Sequence, residues 1–181
     1  MFLNANLKAI AIGRLVPVKR FDVLIDAWQN LPNQLSIVGD GPERIRLKSQ
    51  VEDLDLQDRV HFLGERTDVL ELLAEHQLIV ISSEREGFGY VLLEALQAEL
   101  IAISTDTGIA SDLLPQDYLI NPLTSKSVTV AIQRTLTEFE RAKRDFAPIW
   151  NKAREMTVKH MVENTLKTYR DTVLRTQSKN R

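Results

Sequence analysis

Glu86 and Glu94 are separated by seven residues, and between them Gly87 and Gly89 bracket the ring of Phe88. The chain then runs Tyr90-Val91-Leu92-Leu93-Glu94-Ala95, an apolar pattern with helical spacing. A helix beginning here turns unpaired N–H groups and the positive end of its dipole toward whatever precedes it, which suits a diphosphate. Glu86 lies before that start and Glu94 about one turn inside it. An ionised carboxylate accepts hydrogen bonds from hydroxyls, so the two depths could grip two different hydroxyl-bearing groups. A plainer reading stays open, with Glu94 as a solvated helix residue and Glu86 as a partner of the helix dipole.

A diphosphate needs cations beside it. Arg14 and Lys19 offer them in Gly13-Arg14-Leu15-Val16-Pro17-Val18-Lys19, a loop that Pro17 stiffens. Arginine can bind phosphate through two parallel hydrogen bonds, and lysine acts as a mobile point charge. Gly39-Asp40-Gly41-Pro42 is a second glycine-rich turn, and Gly64-Glu65-Arg66 a third. A dinucleotide fingerprint built on Gly39 and Gly41 would need a small residue at position 44, where Arg44 stands. Pro42 reads as the first residue of a helix, where its missing N–H is harmless. For Gly39 and Gly41, a bare strand-to-helix turn and a ligand contact both remain open. His61, His76 and His160 are scattered without metal-ligand spacing, so no metal site is expected.

These segments gain meaning from the elements that would hold them. Short apolar runs occur at Ala9–Ile12, Leu35–Val38, Val60–Leu63, Leu78–Ile81, Leu100–Ile103 and Tyr118–Ile120. Most are unbroken rather than alternating, as strands covered on both faces require. Phe21, Leu24, Ile25, Trp28 and Leu31 form a helical stripe between the first two runs. Further helices are expected at Ile45–Leu56, Val69–Ala74, Tyr90–Leu96 and Val128–Phe139. Repeated strand–helix units predict an α/β fold, a Rossmann-like, doubly wound parallel sheet of about six strands. In such sheets ligands bind beyond the carboxyl ends of the strands, where all the glycine-rich turns above fall. The expected division is a binding domain over residues 1–140 and a helical tail over 141–181. A long last helix over Thr157–Arg175 would carry Val158, Met161, Thr165, Tyr169 and Val173 on one face.

Composition narrows the classes. The 181 residues contain no cysteine, which removes disulfides, thiolate metal sites and cysteine nucleophiles. The net charge of −2 conceals an acidic body and a basic tail. Residues 1–140 hold 12 Lys and Arg against 21 Asp and Glu, and residues 141–181 hold 11 against 4. An acidic body gives no general attraction for anions, so a phosphate site must be built locally, and no nucleic-acid partner is expected. Neither a leader peptide nor a bilayer-spanning run is visible, which makes a cytoplasmic location the expectation.

In this order the motifs resemble the C-terminal, donor-binding domain of the family-four retaining glycosyltransferases, which have the GT-B fold. The similarity runs from about Leu7 to Leu114 and more loosely through the tail. It rests on the basic loop from Gly13 to Lys19, the strand ending in Gly39-Asp40-Gly41-Pro42, and Val60-His61-Phe62-Leu63-Gly64. Its most specific part is the Glu86/Glu94 pair with Gly87-Phe88-Gly89 between them. The resemblance implies a nucleotide diphosphate sugar as donor, with no metal cofactor. Arg14, Lys19 and Glu86 would be catalytic. Gly13, Gly39, Gly41, Gly87, Phe88, Gly89, Tyr90, Val91 and Leu92 would line the donor, Glu94 would hold the ribose, and the turn at Arg66 would frame the base. It implies a hexose-type sugar passing to a glycan or lipid-linked acceptor in polysaccharide biosynthesis, with peripheral contact at the inner membrane face. The first strand starts within ten residues of Met1, so the partner half that binds the acceptor is expected to be missing and the isolated domain inactive. Arg20 stands where the family commonly has glycine, Glu99-Leu100-Ile101 where it has Gly-x-Pro, and Ile109 where a second glycine is frequent. A nucleotide-sugar epimerase, a phosphorylase-like relative and a non-catalytic interaction module of the same fold are the competing readings.

Overall fold

A computed structural model describes residues 6–157 and Leu166. Six parallel strands form one sheet: β1 (Ala9–Ile12), β2 (Leu35–Val38), β3 (Val60–Gly64), β4 (Leu78–Ile81), β5 (Ile101–Thr105) and β6 (Leu119–Ile120). Their spatial order is β3-β2-β1-β4-β5-β6, so the chain reverses its direction of travel between β1 and β4. Helices lie on both faces, which is why β4 and β5 are buried along their whole length and read as continuous apolar runs.

The helices are α1 (Phe21–Trp28), α2 (Arg44–Asp53), α3 (Val69–Ala74), α4 (Tyr90–Gln97), α5 (Ala110–Leu113), α6 (Ser125–Thr137) and α7 (Phe139–Glu155). α1 packs against α2 and α6, and α4 packs against α7. Thr129 Oγ1 donates to the Ala27 carbonyl at 3.0 Å, and Trp150 Nε1 donates to the Leu100 carbonyl at 2.9 Å. The Thr129 bond ties α6 to α1, and the Trp150 bond satisfies an indole N–H that packing would otherwise strand. Among the described residues no helix is long and apolar enough to cross a membrane.

Several boundaries differ from the sequence expectation. β5 runs on through Ser104 and Thr105, which are polar yet buried. Their hydroxyls donate to the carbonyls of Thr105 and Ser83, so burial leaves neither unpaired. Tyr118 belongs to a 3-10 turn rather than to β6, and its hydroxyl donates to Asp145 at 2.8 Å. Pro42 sits in a turn, and α2 starts two residues later at Arg44. The helix expected over Val128–Phe139 starts at Ser125, capped by Thr124, and ends at Thr137. α7 starts at Phe139, so residue 140 lies inside it. The helix expected over Thr157–Arg175 falls outside the described residues apart from Thr157 and Leu166.

Among the described residues, two α-helices end on a left-handed residue that is not glycine. Asp55 has φ 53° after α2, and Glu99 has φ 63° after α4. In both, the next residue's N–H reaches back five positions: Leu56 to Val51 and Leu100 to Ala95, each at 2.9 Å. That closing bond fixes the left-handed geometry, which glycine adopts without the Cβ penalty. Asp55→Gly should therefore raise stability by about 0.5–1 kcal/mol. The check is a higher urea midpoint at an unchanged slope.

Candidate functional site

The β1–α1 loop is anchored by Leu15, which is fully buried, while Arg14 beside it is exposed. Pro17–Lys19 forms a 3-10 turn that ends on Arg20, and this lifts Lys19 toward the loop after β4. There Lys19 Nζ meets Glu86 Oε1 at 2.6 Å, with both side chains about one-fifth exposed. Ser83 Oγ donates to the same Glu86 oxygen at 2.6 Å. Ser83 is itself held from behind, since Thr105 Oγ1 donates to its carbonyl at 2.6 Å. The two loops are also laced by backbone: Glu84 N–H donates to Val18 O at 2.8 Å, and Ser82 Oγ to Lys19 O at 2.9 Å.

α4 opens directly beyond Glu86. Its cap is Gly89, with φ 97°, no side chain caps it, and no acidic residue lies in its first turn. The first N–H groups of a helix have no partner within it, so this end presents uncompensated donors and positive potential. A cavity of about 370 Å³ lies against it, lined by Glu86 to Leu92, by Ile12 and Ile81 at the strand ends, and by Ser104 and Thr107. The sheet itself opens this cavity. β1 and β4 are registered only at Ala9 with Leu78 and Ile10 with Ile79, and they part over their last two residues. The opening is the crevice expected where the strand order reverses.

One wall depends on a close approach. Ile109 N–H donates to Phe88 O at 2.9 Å, and a Cβ on Gly108 (φ 58°) would lie 2.5 Å from that oxygen. Phe88 and Tyr90 stand exposed at the mouth with ring centroids 4.9 Å apart. The Ile109 side chain lies beside Gly89.

The expected residues divide into those that share this cavity and those that do not. Glu86, Gly87, Phe88, Gly89, Tyr90, Val91 and Leu92 line it. Lys19 reaches it through Glu86, and Gly13 lies under the Lys19 side chain. Arg14 makes no side-chain hydrogen bond or ion pair among the described residues. Glu94 is exposed on α4 and lies outside the lining. Gly39 and Gly41 abut the backbone of the Gly13–Leu15 loop, which accounts for both glycines without any ligand. The Arg66 side chain pairs with Asp68 and borders a second cavity with His61 and His76. Burial pushes the His76 imidazole below its usual pKa, and the ring bonds Leu72 O and Ser36 Oγ, tying α3 to β2. The sequence assigned no individual role to Ser83, Thr105 or Thr107; their only signal is hydroxyl residues at or just beyond the ends of apolar runs.

A family model for the glycosyl transferases group 1 matches residues 4–144. The chain belongs to this family. Among curated relatives it is 39% identical over 103 residues to the N-acetyl-alpha-D-glucosaminyl L-malate synthase of Bacillus anthracis, covering 55% of this chain and 27% of that protein. It is 28% identical over 152 residues to the amylovoran biosynthesis glycosyltransferase AmsD of Erwinia amylovora, covering 81% of this chain and 43% of that one. The crystal structure of Anabaena HepE in complex with UDP and glucose superposes with a TM-score of 0.81 at 25% identity, covering 92% of this chain and 49% of HepE. The group 1 domain thus spans half or less of the length of these relatives. Its six-stranded parallel sheet is the Rossmann-like half of a GT-B arrangement, as the sequence motifs implied.

Proposed function

We propose that this group 1 domain binds the nucleoside diphosphate sugar donor of a retaining glycosyltransferase, with the diphosphate between Lys19, Arg14 and the amino end of α4. The observation that carries the reading is the Lys19–Glu86 pair at 2.6 Å, placed at the mouth of an uncapped helix. A cation and oriented backbone donors at one point fit charge that develops on a departing nucleoside diphosphate. Charge neutralisation is assigned to these groups, with no metal ion required.

Before the donor arrives, Glu86 occupies the Lys19 ammonium. An incoming phosphate competes for it, and Glu86 is released toward a sugar hydroxyl of the hexose. Glu94 is assigned to the ribose hydroxyls and the backbone near Arg66 to the base. The HepE complex, which contains UDP and glucose, supports a uridine nucleotide and a hexose. The acceptor is assigned as a glycan or a lipid-linked one, in keeping with the biosynthetic role that AmsD's name carries. Because its relatives are at least about twice as long, these 181 residues by themselves are proposed to bind donor and to transfer little sugar.

Titrating UDP, GDP and ADP into the chain by calorimetry and thermal shift tests this. UDP should bind, and at a hundredfold excess over its Kd it should add about 2.7 kcal/mol, or roughly 5–10 °C in Tm. A folded chain that ignores all three at millimolar concentration defeats the reading.

A further inference from the structure

Arg20 is the one residue of the β1–α1 loop whose backbone is left-handed, at φ 49° and ψ 40°. A side chain other than glycine, asparagine or aspartate is uncommon there and is held only by what surrounds it. What surrounds Arg20 is charge. Its Nη1 donates to Glu84 Oε1 at 2.5 Å, and its Nε donates to Asp22 Oδ1 at 3.1 Å. Asp22 lies in the first turn of α1, two residues after Arg20. Glu84 lies on the other loop, two residues before Glu86. The guanidinium therefore joins the start of α1 to the loop that carries Glu86, one residue beyond Lys19.

Resting on the donor-site reading above, we infer that Arg20 is a positioning residue, whose fork between Asp22 and Glu84 sets the spacing of Lys19 and Glu86 for a diphosphate. Arginine suits this task because its planar guanidinium can serve two carboxylates at once, which a lysine ammonium does with less geometric control. The backbone bond from Glu84 N–H to Val18 O brings the two loops together. Together with the Ser82 Oγ bond to the Lys19 carbonyl, it ties the loops at their backbone. Arg20 adds a side-chain tie at Glu84, two residues from Glu86, and its left-handed backbone is tolerated for that reason.

The test compares the native chain with Arg20→Gly, Arg20→Lys and the charge exchange Arg20→Glu with Glu84→Arg. Two readouts are needed, hydrogen exchange over residues 82–89 without ligand and UDP affinity by calorimetry. Arg20→Gly relieves the left-handed backbone, so the melting temperature should hold or rise. Even so, exchange over 82–89 should quicken and UDP should bind roughly three- to tenfold more weakly. Arg20→Lys and the charge exchange should each recover part of the affinity. A purely structural residue would show the opposite pattern, a lower melting temperature at unchanged affinity, and that result overturns the inference. Unchanged exchange over 82–89 in Arg20→Gly also overturns it, as does quickened exchange with undiminished UDP binding. If the native chain binds no UDP while exchange still responds to Arg20, the donor-site reading falls and takes the positioning role with it, leaving a brace between loops.

Discussion

Lys19→Ala is expected to weaken UDP binding by roughly tenfold to a hundredfold, the largest single effect on affinity that the site should yield. Losing a charge-assisted hydrogen bond to phosphate removes about 1.5–3 kcal/mol, which converts to that range. The same change costs the fold little. The Lys19–Glu86 pair is part-exposed, and such pairs contribute up to about 1 kcal/mol. Ser83 still donates to Glu86 once the ammonium is gone. Glu86→Gln supplies the complementary arm. It keeps the shape of the side chain and removes the carboxylate that occupies Lys19, so UDP should bind at least as tightly as to the native chain. Calorimetry on both variants, with melting temperatures alongside, makes the comparison. Equal UDP affinity for Lys19→Ala and the native chain would place the diphosphate elsewhere.

Gly39→Ala should be the most damaging of the small substitutions, with a loss of more than about 3 kcal/mol. An added Cβ would lie 2.1 Å from the Gly13 carbonyl oxygen, at a backbone φ of 131° that side chains avoid. The obstacle is backbone on both sides, since Gly39 N–H also donates to Gly64 O at 2.7 Å. Neither strand end can step aside without breaking ladder bonds of β1, β2 or β3. A domain of ordinary stability holds only about 5–15 kcal/mol, so the variant should unfold at much lower urea or fail to accumulate in folded form. Gly87→Ala is the contrast, because its Cβ meets no atom within 4 Å. It should stay within about 0.5 kcal/mol of the native chain. Matching urea midpoints for the two variants would show that the loop contact matters less than its geometry implies.

The sheet was legible because its strands are buried on both faces and so appear as unbroken apolar runs, Leu78–Ile81 most clearly. The Glu86 region was legible because glycines around a ring, followed by helical spacing, leave few ways to fold. Other features escaped for physical reasons. Asp55 looks like an ordinary polar residue at a helix border, and only its positive φ shows what the chain requires there; at Arg20 and Glu99 the sole hint was the glycine that the resembling family commonly has. Gly39 and Gly41 advertise tightness without saying what is near, and the neighbour proved to be the chain itself. The direction of the Arg66 side chain was likewise unreadable, since its partner Asp68 could equally have been a helix cap. Ser83 carries no periodic signal at all, although it holds the carboxylate on which the proposed chemistry turns.

The parting of β1 from β4 has one more implication. A groove cut by diverging strands exists before any guest arrives and does not depend on how long the surrounding loops happen to be. Insertions or deletions at the rim can reshape what is recognised while the floor under Ile12 and Ile81 stays put. Such a berth can change its tenant over evolutionary time without being rebuilt.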